Sequence, residues 1–122
     1  MARILVIDDD DTVRLSVKLA LEDADHIVED AADGEKGVAL FRENPADLVV
    51  TDIFMPEKEG LETIDEIKRL RPETKIIAIS GGGRMDPEDY LSIAESVGAD
   101  HSLLKPFDIE KLAEVVEDLL KG

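Results

Sequence analysis

Two kinds of apolar pattern alternate along the chain. Continuous runs occur at Ile4 to Ile7, Leu48 to Val50 and Ile76 to Ile79, each too short for a helix, and their lack of alternation suits strands buried on both faces. Between them the apolar positions recur with a helical period. Val13, Val17, Ala20, Leu21 and Ala24 share one face, and near the end Ile109, Leu112, Ala113, Val116, Leu119 and Leu120 repeat the pattern. Weaker strand signals lie at His26 to Ala31 and His101 to Leu104. Helices are predicted at Glu35 to Glu43, Gly60 to Leu70 and Pro87 to Val97, bounded by Gly34, Pro45, Pro72 and Gly98. Five strands alternating with five helices predict an α/β fold, a doubly wound parallel sheet. In such sheets, sites form beyond the carboxyl ends of the strands.

Length changes this picture little: 122 residues fit one domain spanning 1–122. The longest apolar runs are far below the ~20 residues that span a bilayer, and the N-terminus enters a strand at once without a secretory pattern. A soluble, cytoplasmic protein with no membrane association is expected. There is no cysteine, so neither disulfides nor thiolate metal sites are available. Thirty acidic residues against fourteen basic ones give a net charge of −16, which repels a phosphate backbone, so direct nucleic-acid binding is not expected. Most of these carboxylates serve as solvated surface.

The exceptions collect where strands stop. The first strand runs into Asp8, Asp9, Asp10 and Asp11, the third ends in Asp52, the fourth in Ser80 followed by Gly81, Gly82 and Gly83, and the fifth in Lys105 and Pro106. Asp10 or Asp11 is explained as a cap for the first helix. Asp8, Asp9 and Asp52 together are not. Carboxylates ~4 Å apart repel by about 4 kcal/mol per pair at an effective dielectric near 20, so the cluster calls for a cation or a shared proton. Oxygen donors without histidine or cysteine favour a hard ion, and Mg²⁺, which keeps several waters, suits one or two carboxylates best. Lys105 then reads as a point charge for phosphoryl oxygens, with Ser80 and the Gly81 amide as donors to them.

The stretches ILVIDDDD at 4–11, DLVVTDIFMPEKEG at 47–60, IIAISGGG at 76–83 and GADHSLLKPF at 98–107 together resemble the receiver domain of bacterial two-component response regulators, in particular single-domain, chemotaxis-regulator-like receivers. The resemblance implies a flavodoxin-like (βα)5 fold with strand order 2-1-3-4-5 and Asp52 as phosphoacceptor. It implies that Mg²⁺ is held by Asp9, Asp52 and the Phe54 backbone carbonyl, with Asp8 helping through water, and that Ser80 and Lys105 hold the phosphoryl group. It also implies a sensor histidine kinase or histidine phosphotransfer protein as donor, a downstream protein target whose contacts change, and no catalysis beyond the protein's own phosphorylation and dephosphorylation.

The chain departs from the family pattern in two places. Ser102, with His101 beside it, stands three positions before Lys105, where the family usually carries a switching aromatic; Tyr90 or Phe107 would have to substitute, or the output lies in the Ser80 loop and fourth helix alone. Phe54, two residues after the acceptor, puts bulk near the route of a hydrolytic water, which predicts slow dephosphorylation. Two other classes compete. Asp8, Asp10 and Thr12 after an apolar strand also look like the first motif of haloacid-dehalogenase-like phosphatases, with Asp8 as nucleophile, although Asp52 would then have no role. A flavin-binding flavodoxin would need a phosphate cradle where four aspartates stand.

Overall fold

The computed structural model describes residues 2–53, 60–80 and 86–121. In chain order the elements are β1 (Arg3–Ile7), α1 (Asp11–Asp23), β2 (Ile27–Ala31), α2 (Gly34–Glu43), β3 (Leu48–Asp52), α3 (Gly60–Leu70), β4 (Lys75–Ser80), α4 (Pro87–Val97), β5 (His101–Leu104) and α5 (Ile109–Lys121). The five strands form one parallel sheet in the order β2-β1-β3-β4-β5. This is the doubly wound, flavodoxin-like fold that the pattern and the resemblance implied. Among the described residues no helix is long and apolar enough to cross a membrane.

The pleat of the inner strands explains their continuous hydrophobicity, because successive side chains point to opposite faces. Ile4, Val6, Leu48, Val50, Ile77 and Ile79 pack with Val17 and Leu21 of α1 and Leu112, Val115 and Val116 of α5. Leu5, Ile7, Val49, Ile76 and Ala78 pack on the other face with Val38 and Phe41 of α2, Ile64 and Ile67 of α3 and Ala94 of α4. Each face needs its own helical layer, which is why β1, β3 and β4 sit inside and the weaker β2 and β5 lie at the edges.

Boundaries differ from expectation by single residues, each for a local reason. Ala24, assigned by periodicity to the buried face of the first helix, is instead its exposed C-cap, and Asp25 at φ +70° turns the chain out of the helix. His26 precedes β2 rather than opening it. Its Nδ1 accepts from the Ala2 N–H at 3.1 Å and its Nε2 lies 3.0 Å from Glu117 Oε1. The second helix begins at Gly34, one residue early, because the Asp33 side chain caps it by accepting from the Lys36 N–H at 2.8 Å.

Candidate functional site

Sheet register brings the ends of the inner strands together. Ile7 pairs with Thr51, Asp52 with Ile79, and Ser80 with Leu104, so Asp8, Asp52, Ser80 and Lys105 arrive on adjacent chains. Three main-chain bonds extend the pairing into the loops: Asp8 N–H donates to Ala31 O at 3.1 Å, Ile53 N–H to Ile79 O at 3.0 Å, and Lys105 N–H to Ser80 O at 2.7 Å. The Lys105–Pro106 peptide is cis.

The Lys105 ammonium joins two of the aspartates. Its Nζ donates to Asp52 Oδ2 at 3.0 Å and lies 3.0 Å from Asp8 Oδ2, the latter an ion pair without hydrogen-bond alignment. Asp8 and Asp52 are 1% and 5% exposed, so their charges are hardly screened by solvent. Burial pushes the Asp8 carboxyl above the usual carboxylate range and the neighbouring Asp52 charge adds to this; a bond from the Asp10 N–H at 2.9 Å and the Lys105 charge oppose the shift without cancelling it. Burial alone would lower the Lys105 pKa, but Asp52 and Asp8 outweigh it and hold the ammonium above its ordinary value.

Asp9 is exposed, yet one oxygen from each of Asp8, Asp9 and Asp52 lies within 4.8 Å of the others. Among the described residues, one ammonium, that of Lys105, stands against this cluster of three carboxylates, beside Asp8 and Asp52. The excess negative charge, two members of it buried, fits a hard divalent cation with oxygen donors. Ser80 is fully buried, and its Oγ has no hydrogen-bond partner among the described residues, a hydroxyl held ready at the end of β4. Gly81 and Phe54, also expected at this site, lie outside the described residues, so the Phe54 reading of phosphate lifetime is untouched by the geometry.

Of the two expected candidates, Asp10 caps the first helix: its carboxylate accepts from Thr12 N–H at 3.0 Å and Val13 N–H at 3.2 Å. Asp11 instead pairs with Arg14 at 2.6 Å. Within β5, Ser102 Oγ donates to Glu95 Oε2 at 3.2 Å, tying the strand to α4 at the position where the family pattern usually carries an aromatic. Phe107 is half-buried and packs against the α1 and α5 side of the core, whereas the Tyr90 side chain lies outside the described residues.

Two residues that shape the site escaped the sequence reading. Gly60, the first residue of α3, presses against the end of β3. A Cβ there would stand 2.2 Å from Ile53 Cα and 2.3 Å from Asp52 O, so only glycine allows this approach. Arg14 reaches from α1 to the β1–α1 turn, with Nη1 donating to Asp8 O at 2.9 Å, Nη2 to Asp11 Oδ1 at 2.6 Å and Nε to Asp30 Oδ2 at 2.8 Å. The available signal was a lone cation one turn after four aspartates, which reads equally well as a surface pair.

The family model for the response regulator receiver domain matches residues 4–117. The chain belongs to that family. It is 33% identical over 121 residues to protein CcdB of Bacillus subtilis, covering 98% of each chain. It is 35% identical to the DNA-binding transcriptional regulator NtrC of Azospirillum brasilense, covering 99% of this chain but 24% of that protein. Among solved structures it is similar to a CheY-like response regulator receiver domain protein from Methanospirillum hungatei JF-1, with a TM-score of 0.90, 30% identity, and coverage of 99% of this chain and 94% of that one. A receiver domain of this kind takes part in phosphorelay signalling. The phosphatase alternative finds no support, and in the receiver Asp8 is the less accessible carboxylate, enclosed by the Asp10 amide and Lys105.

Proposed function

We propose that residues 1–122 act as one receiver in which Asp52 accepts a phosphoryl group from a phosphohistidine of a sensor histidine kinase or histidine phosphotransfer protein. The observation that carries this assignment is the position of Asp52. It is the acidic residue that ends the central β3, within 3.0 Å of the Lys105 ammonium and inside the three-carboxylate cluster. Asp8, Asp9 and Asp52, together with the Phe54 carbonyl, would hold Mg²⁺, which when bound supplies positive charge to the phosphoryl oxygens.

An Asp52 carboxylate oxygen attacks phosphorus in line, the new O–P bond forms as the P–N bond to the donor imidazole breaks, and the imidazole leaves with the bonding pair. Lys105 offsets the repulsion between the anionic nucleophile and the anionic phosphoryl group. Because its ammonium already contacts Asp52, it needs little rearrangement to reach an oxygen on the arriving phosphorus. Ser80 Oγ and the Gly81 amide serve as donors to the other oxygens. The added charge of about −1.5 to −2 then recruits the Ser80 hydroxyl as a donor, and the signal passes to a protein target in the cytoplasm. Catalysis is confined to the protein's own phosphorylation and dephosphorylation.

Intact-mass measurement after incubation with acetyl phosphate and Mg²⁺ tests the assignment. Wild type gains one phosphoryl group and Asp52→Asn gains none. A phosphoryl group retained by Asp52→Asn and lost from Asp8→Asn would move the nucleophile to Asp8.

A further inference from the structure

Asp9 is the exposed member of the acidic cluster, so packing does not hold it as it holds Asp8 and Asp52. Its position depends on the two peptide groups that flank it. The first is held by Arg14, whose Nη1 donates to Asp8 O at 2.9 Å, and the second by Asp8 itself, whose Oδ1 accepts from the Asp10 N–H at 2.9 Å. Asp9 is thus suspended between a carbonyl fixed by the Arg14 side chain and an amide fixed by the Asp8 carboxylate.

The guanidinium is itself anchored. Its side chain is 14% exposed, Nε donates to Asp30 Oδ2 on β2 at 2.8 Å, and Nη2 meets Asp11 Oδ1 at 2.6 Å. Lys18 takes the other oxygen of Asp30 at 3.2 Å, which fixes that carboxylate in turn. A planar fork reaching three acceptors on the β1–α1 turn, β2 and α1 is a task for arginine, because an ammonium is a point charge that cannot span them. Carboxylates around a metal must be held in place in advance, since an exposed side chain that wanders pays an ordering cost on each binding event.

We propose that Arg14 is a positioning residue for Asp9, and that it sets the affinity of the acidic cluster for Mg²⁺ by clamping the Asp8 carbonyl at the start of the Asp9 peptide segment. This rests on the Mg²⁺ assignment proposed above. Arg14 acts through the β1–α1 turn and touches no reacting atom.

The test is calorimetric titration of Mg²⁺ into metal-free wild type, Arg14→Met, Arg14→Lys and Asp33→Ala, well below the lowest melting temperature. Amide hydrogen exchange at Asp10, whose N–H donates to Asp8 Oδ1, is followed in the same proteins without metal. Arg14→Met is expected to weaken Mg²⁺ binding about tenfold, the usual scale for loss of a partner that orients a ligand, and to speed exchange at Asp10. Arg14→Lys keeps the charge but not the fork and should recover little; it carries the test if Arg14→Met fails to fold. Asp33→Ala, which removes the cap of α2 and leaves the β1–α1 turn intact, should bind as wild type does. Binding by Arg14→Met within twofold of wild type, unchanged Asp10 exchange, or equal weakening in Asp33→Ala would each overturn the role of Arg14 alone. A wild-type protein that takes up no Mg²⁺ would overturn the metal assignment and this inference with it.

Discussion

Lys105 Nζ stands 3.0 Å from Asp52 Oδ2, and the same ammonium lies 3.0 Å from Asp8 Oδ2, so one cation from the β5–α5 loop offsets two buried carboxylates, one from the β1–α1 turn and one from β3. Replacing it by methionine leaves both charges without that cation. Lys105→Met should lose about 3 kcal/mol of stability without metal, the lower end for breaking a buried pair, because the lysine side chain is 20% exposed. Added Mg²⁺ should restore much of this loss, yet phosphorylation should remain slower by about 10²-fold for want of an electrostatic donor. Urea melts with and without Mg²⁺, paired with phosphorylation rates, separate the two effects; a variant phosphorylated at the wild-type rate would remove Lys105 from the chemistry.

Ser80 makes the opposite prediction about stability. Its buried Oγ has no partner among the described residues, so Ser80→Ala removes a hydroxyl that already carries the cost of desolvation. Stability should be unchanged within about 0.5 kcal/mol or rise slightly. The rate of phosphoryl uptake should nevertheless fall, since the hydroxyl is then missing when an oxygen arrives to accept from it. A destabilised Ser80→Ala would mean that Oγ has a partner in the resting protein.

Gly60→Ala tests how closely α3 must approach the site. Alanine gains up to about 1 kcal/mol in helix propensity over glycine. Here, however, its Cβ would meet main-chain atoms of Ile53 and Asp52 at 2.2 and 2.3 Å, and backbone cannot turn aside as a flexible side chain can. The steric cost of about 1–3 kcal/mol should win. We expect a net loss of stability together with slower phosphorylation, because the displaced atoms carry Asp52. Thermal melts showing Gly60→Ala more stable than wild type would contradict the close approach.

Two aspartates should respond to pH in opposite directions. At Asp30, burial favours protonation, but the bonds from Lys18 and Arg14 prevail and hold its pKa below the ordinary 3.8. Its stabilising contribution is therefore complete above pH ~4 and is lost as pH falls through the lower folded value. The stability gap between wild type and Asp30→Asn, roughly 1–2 kcal/mol at neutral pH for charge-assisted bonds, should close on acidification. Asp8 is shifted upward by burial and by Asp52. Its ionisation costs stability at neutral pH, and that cost is relieved as pH falls through its raised folded value. Asp8→Asn should accordingly melt above wild type at neutral pH without metal, with the gain fading in acid. Denaturation curves across the pH range would show both slopes, and a gap for Asp30→Asn that widens in acid would contradict the sign.

The strands and helices were legible because they follow from periodicity. Ile4 to Ile7 and Ile76 to Ile79 have apolar side chains on both faces of the pleat, and only a sheet covered on both sides buries them all. Asp8, Asp9, Asp52, Ser80 and Lys105 could be picked out because their types are costly at the ends of buried strands unless they serve a site. Whether Asp10 or Asp11 caps α1 could not be read, since either carboxylate can reach free N–H groups. The geometry decides it: Asp10 has the extended backbone of a cap, and Asp11 is drawn to Arg14.

The sequence by itself therefore determined the element order, the two-sided core and the residue types of the site, all of which depend on local spacing and on the cost of burying charge. The tertiary structure alone decided which charges meet. Lys105 lies 53 residues from Asp52 along the chain, and parallel register, which no local pattern encodes, puts them in contact. The clearance behind Gly60 and the hold of Arg14 on the turn that carries Asp9 were likewise decided only there, because each depends on how closely separate elements pack.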